Sequence, residues 1–126
     1  MGYRSDVGIM CGLNVAERLQ KVFNQYDFQP DKVYNGKSWA GYDQKLFIFE
    51  YVKWYENTGY KEVDAVMDVL SEFDEIDDPD FADSFKYLRL GEDDTDVEAL
   101  TNNYDVELYF VRHLDIPSGM EEEVTP

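Results

Sequence analysis

Residues 46–55 read LFIFEYVKWY. Both faces of the first half are apolar, and aromatic and β-branched side chains crowd the run, the composition of a strand covered on both sides. We read it as the central strand of a sheet, although periodicity by itself also admits a buried helix. Asn57-Thr58-Gly59 ends it.

Toward the N-terminus, residues 30–43 connect elements and carry Pro30, Asn35-Gly36 and Gly41. The Asn-Gly pair predicts a short hairpin between Val33-Tyr34 and Ser38-Trp39. Before it, Asn14 stands where an N-cap is expected, with Glu17 three residues on. The helix that follows, to about residue 25, aligns Val15, Leu19, Val22, Phe23 and Tyr26 on one stripe. Residues 3–11 alternate, with Tyr3, Ser5, Val7, Ile9 and Cys11 on one face and Arg4, Asp6, Gly8 and Met10 on the other. That pattern predicts a strand with one buried face.

Toward the C-terminus, residues 61–73 predict a second helix whose inward stripe is Val63, Val66, Met67, Leu70 and Phe73. Residues 85–90 form a short strand ending at Gly91, and residues 105–116 alternate as another. Residues 75–84, broken by Pro79, are an acidic loop. Residues 92–103 are a second acidic connection, with room for one helical turn over 97–100. The order β-α-β-α-β-β predicts an α+β fold: a two-layer sandwich with a mainly antiparallel sheet of about four strands and both helices on one face. Residues 1–117 are expected to form a single domain, and residues 118–126, with Glu121-Glu122-Glu123, an acidic flexible tail.

A chain of 126 residues that is 44% hydrophobic and 16% aromatic has material for one core, unlike a disordered acidic segment. Its single cysteine, Cys11, allows no intrachain disulfide, and no apolar run is long enough to span a bilayer. A cytoplasmic location and no membrane partner are therefore expected. The net charge of −17 is uneven: residues 1–61 hold seven acids and eight bases, while residues 62–126 hold twenty-one acids and three bases. Phosphate binding needs clustered Lys and Arg, so direct nucleic-acid binding is not expected. A basic host protein or nucleoprotein complex is the natural partner.

The charge is densest over residues 62–98, where fifteen acids face only Lys86 and Arg89. On the second helix Asp64, Asp68, Glu72 and Glu75 make a single-sign ridge, each like-charge neighbour costing a few tenths of a kcal/mol (~0.2–0.5). Asp77, Asp78, Asp80 and Asp83 continue it in one loop, and Glu92, Asp93, Asp94, Asp96 and Glu98 in the other. B-DNA carries one charge per ~1.7 Å of axis. Carboxylates one helical turn apart, about 5–6 Å, come near that texture and could occupy a groove built for nucleic acid. The plain alternative is a solvated face that keeps the protein soluble.

Four sets of segments stand out: Gly2-Tyr3-Arg4-Ser5-Asp6-Val7, Val52-Lys53-Trp54-Tyr55, Leu88-Arg89-Leu90-Gly91-Glu92-Asp93 with Asp96-Val97-Glu98, and Val111-Arg112-His113-Leu114. In these the chain resembles a group of small, functionally uncharacterised phage and prophage proteins. The resemblance implies a viral origin and a shared fold but transfers no catalytic residue. Small acidic phage proteins are often inhibitors of host defence nucleases or related complexes, some by imitating DNA, and that likeness is one of kind.

Other chemistry is less well supported. Asp94, Asp96, Glu98 and Asp105 match part of a calcium-loop spacing, but Ala99 stands where Gly is required and Asp105 replaces the bidentate Glu. His113 is the only histidine and Cys11 lies on an apolar face, so neither marks an enzyme. No phosphate loop or nucleophile elbow occurs, and neither catalytic residues, a metal nor a cofactor is expected. Arg4, Arg89 and Arg112 offer a second reading, a binder or sponge for a small anionic ligand such as a nucleotide signal, held on an open sheet face. The more economical role for them is an ion-pair lattice with Asp6 and its neighbours. A third reading is a structural or assembly protein of a virion. Trp39, Trp54 and most of the ten tyrosines are expected in the core.

Overall fold

The structure, a computed structural model, describes residues 4–38, 40–54, 60–92, 96–103, 106, 109–110, 114–115 and 120–123. Its elements run β1 (Ser5–Gly12), α1 (Leu13–Gln25), β2 (Lys32–Lys37), β3 (Asp43–Val52), α2 (Lys61–Asp74), a 3₁₀ turn (Phe81–Asp83), β4 (Phe85–Gly91), β5 (Val97–Thr101), β6 (Tyr109–Phe110), β7 (Leu114–Asp115) and β8 (Met120–Glu122). Six strands form one antiparallel sheet in the order β5-β4-β1-β3-β2-β8. β3 is central, as LFIFEYVKWY predicts, and β1 lies beside it.

Both helices pack on one face. Val15, Leu19 and Phe23 of α1 and Val63, Val66 and Leu70 of α2 share a core with Val7, Ile9, Phe47, Phe49, Phe85 and Tyr87. The rings are interlocked: Phe23 meets Phe47 edge-on at 5.1 Å and Phe28 stacks on Phe49 at 4.9 Å. Each large apolar side chain buried this way contributes roughly 1.5–3 kcal/mol. The opposite face is also covered: Met10, Leu46, Ile48, Leu88 and Val106 form a second cluster, with Tyr34, Phe81 and Met120 packed against it. β1 is therefore buried on both sides, where its alternation predicted one. Met10 and Gly8 on the second side are compatible with an apolar cover, which alternation alone does not reveal.

α1 begins two residues earlier than expected. Gly12 occupies the cap position without a side-chain bond, and Asn14 lies inside the helix. A Cβ on Gly12 would lie 2.1 Å from the Phe81 carbonyl oxygen, and the Gly12 N–H donates to the Ser84 carbonyl at 2.9 Å. The close approach of the 3₁₀ turn leaves no room for a side chain at this position, so glycine stands where a capping residue would. The Asn14 amide donates instead to Asp83 Oδ1 at 2.8 Å.

The sheet exceeds the expected four strands because its outer members look polar in sequence. Asn35-Gly36 does not turn: Asn35 pairs with Lys45 and Glu121, Gly36 with Gln44 and Met120. Pairing on both sides satisfies more backbone groups than a small isolated hairpin could. The chain reverses at Gly41, φ 86, where Ser38 N–H donates to the Tyr42 carbonyl at 2.8 Å. Residues 97–101, expected to hold a helical turn, are β5, because Leu100 packs toward the helices and Glu98 sits opposite Arg89. Residues 105–116 are not one strand: Val106 enters the second cluster, and Tyr109 and Phe110 pair with Asp115 and Leu114. Alternation records an apolar surface, not the backbone's partner. Met120–Glu122, placed by sequence in a flexible tail, pairs with β2 as the sheet's other edge. Trp54 is in the core; Trp39 lies outside the described residues. Among the described residues no helix is long and apolar enough to cross a membrane.

Candidate functional site

The two acidic connections lie at opposite ends of β4. Phe85 pairs with Cys11 at one end and Gly91 with Ser5 at the other, six positions apart, about 20 Å along the strand. α2, with fourteen residues and a length of about 21 Å, spans the same distance and carries the ridge between them. On that ridge Asp68, Glu72 and Glu75 are exposed and Asp64 is half-buried. The ridge is not left to one sign: Arg18 Nη2 of α1 reaches Glu72 Oε2 at 2.7 Å. Helices packed side by side supply a cation that the spacing along α2 cannot reveal. With both side chains roughly half exposed, the pair contributes no more than about 1 kcal/mol.

At the Gly91 end the carboxylates brace the sheet. Arg89 Nη2 and Nη1 donate to Asp96 Oδ1 and Oδ2 at 2.7 and 3.1 Å, Nη1 also reaches Ser5 Oγ at 3.2 Å, and Nε lies 3.9 Å from Glu98 Oε1. The bidentate bond to Asp96 holds the guanidinium pKa above its usual value. Glu92 Oε1 accepts the Arg4 backbone N–H at 2.8 Å. Asp93 and Asp94 lie outside the described residues.

At the Phe85 end the arrangement differs. Asp83 is held by Asn14, and the Asn102 side-chain amide donates to the Asp83 and Phe73 carbonyls at 2.9 and 3.2 Å. Between them Asp74, Glu75, Asp77, Asp78 and Asp80 are all exposed, and Asp78 holds φ 47. None of these five forms an ion pair with a described residue. The last turn of α2 contains no base, so Glu72 and Asp74 sit at the negative end of the helix dipole, each at a cost of about 0.3–1 kcal/mol. Four lysines of the first half are engaged elsewhere: Lys21 with Glu17, Lys32 with Glu50, Lys37 with Asp43 and Lys45 with Glu123. Of the thirteen acids singled out by sequence, the structure thus gathers Glu75, Asp77, Asp78 and Asp80 into one unpaired turn and binds Glu72, Asp83, Glu92, Asp96 and Glu98 into the fold.

Arg4 and Arg89 are engaged separately. Arg89 is committed to Asp96 and Ser5, and the Arg4 guanidinium lies over the Tyr51 ring at 5.3 Å. Glu50 and Tyr51 lie opposite Asp6 where the β1–β3 register shifts, and Tyr51 holds φ 51 with its N–H bonded to Asp6 Oδ1 at 2.8 Å. Arg112 lies outside the described residues. The sheet face expected to be open is filled by the Met10–Leu46–Leu88 cluster. For the calcium spacing, Asp94 and Asp105 lie outside the described residues, while Asp96 and Glu98 face Arg89 on or beside a strand. Among the described residues no group of three or more potential ligands is placed to hold a metal. Cys11 is fully buried, which pushes its thiol pKa far up and removes nucleophilic character, while His113 lies outside the described residues. Sequence reading missed a cavity of about 350 Å³ along α1, lined by Leu13, Ala16, Lys21 and Lys45 among others. Its polar wall is internally bonded, Asn24 Oδ1 accepting from both Gln20 and Gln29 at 3.0 Å.

No protein-family model, no curated protein and no solved structure matches the chain.

Proposed function

We propose that this chain is a non-enzymatic binding protein that occupies a basic, nucleic-acid-binding protein surface, serving as a phage-encoded inhibitor of a host defence system. The observation that carries this reading is the turn over residues 74–80, whose five exposed acids form no ion pair among the described residues while Arg18 and Arg89 compensate the neighbouring carboxylates. The turn follows a helix terminus that itself repels negative charge, so cations brought by a partner relieve an existing penalty as well as adding attraction. Asp68 and the outer side of α2 extend the surface. The mechanism is competition with nucleic acid, with long-range attraction raising the association rate.

The test is affinity for a panel of purified defence nucleases and their nucleic-acid complexes at rising salt. Binding is expected to weaken by at least about tenfold between about 50 and 200 mM salt. The Glu75→Lys, Asp77→Lys, Asp78→Lys triple variant is expected to lose it. Affinity indifferent to salt, or retained by the triple variant, leaves the acidic surface a device for solubility only.

A further inference from the structure

Resting on that reading, we infer that the partner engages as an extended, Lys- or Arg-bearing segment that adds a strand to the free edge of β5. β5 ends the sheet, and among the described residues nothing pairs with its outer side. Val97, Glu98 and Ala99 are exposed, Val97 by 47%, although the strand is regular and pairs with β4 along its whole length. The opposite edge is built differently. β8 has three residues, two of them the exposed Glu121 and Glu122, and is too short and too charged to template another strand.

Charge says which strand would fit. Cross-strand register puts Glu98 on the side of Arg89 and Val97 and Ala99 on the side of Leu90 and Leu88. An added strand alternating cationic and small apolar side chains would meet a carboxylate on one face and methyl groups on the other. Arg89 binds Asp96 in bidentate fashion but stays 3.9 Å from Glu98, whose side chain is 44% exposed and still able to accept a second cation. The strand also leads to the acidic turn. Asn102, one residue past β5, bonds the Phe73 and Asp83 carbonyls that flank residues 74–82. A segment running along β5, about 17 Å, therefore lies beside Asp96 and Glu98 and ends next to the unpaired carboxylates. Backbone bonding then supplies a defined register, which a charged surface alone does not.

The probe is a capped short peptide alternating Lys and Val, compared with the same peptide N-methylated on alternate residues, which keeps its charge and removes its strand-forming donors. The unmethylated peptide is expected to bind at least about tenfold more tightly and to slow hydrogen exchange at amides of β5 but not of β8. Equal binding of the two peptides, or unchanged exchange in β5, overturns strand addition and leaves Glu98 a guard against edge pairing, with the acidic-surface reading intact. Binding of neither peptide overturns both.

Discussion

The two acidic connections flanking β4 differ in what lies across from them. At the Gly91 end Asp96 and Glu98 face Arg89, and Glu92 caps the Arg4 N–H; at the Phe85 end residues 74–80 face no described cation. In composition the two are nearly alike. The difference shows that a carboxylate becomes part of the framework only where the fold brings a donor within reach, and that charge without such a donor is available for something else. It also separates stabilising charge from destabilising charge in the same chain.

That comparison can be broken most decisively at Arg89. Arg89→Met removes the bidentate bond to Asp96 and the bond to Ser5 in a partly buried site and is expected to destabilise the protein by about 2 kcal/mol, below the range for a fully buried pair, as read by urea unfolding. A loss of only a few tenths would mean that the two ends are energetically alike. The opposite sign is expected at the other end. The Glu75→Gln, Asp77→Asn, Asp78→Asn variant should gain about 0.5–1 kcal/mol at low salt, through relief of repulsion and of the helix dipole, and the gain should shrink at high salt. A destabilised triple variant would show that the turn holds a structural contact.

The smallest effect concerns β8, where acids again have partners. Glu123 accepts from the Asn35 amide at 2.9 Å and lies 3.4 Å from Lys45, and these contacts lower its pKa below 4.5, the amide first and the lysine after it. A depressed carboxylate stabilises the fold above its unfolded value and ceases to do so as pH falls through the folded one. Hydrogen-exchange protection of the β8 amides should therefore persist at neutral pH and fade below about pH 4.5, and Glu123→Gln should flatten that dependence. Protection that does not change with pH would mean that β8 is held by its backbone pairing alone.

How much of this was legible depended on position in the fold. β1, β3, β4 and both helices were readable because their neighbours are apolar on at least one side, and Val7, Ile9, Val63 and Leu70 repeat at the period of the element that carries them. The edges were not. β2 contains Asn35-Gly36, β5 contains Glu98 and β8 is Met-Glu-Glu, so their identity as strands rests on backbone ladders, with the neighbouring strands for β2 and β5 and with residues more than 80 positions away for β8. The candidate site was legible as a density of acids and illegible as a surface. Arg18–Glu72 joins two helices, and Asn14–Asp83 joins residues separated by most of the chain.

By itself the sequence determined an α+β chain with a central strand in the region of LFIFEYV, two amphipathic helices and a strongly acidic second half. Periodicity and net charge are properties of residue order, and order is all they require. Only the tertiary structure decided which acids are paired, which sheet edge is free and which face is covered, because ion pairs and ladders depend on distances across elements that no local pattern contains.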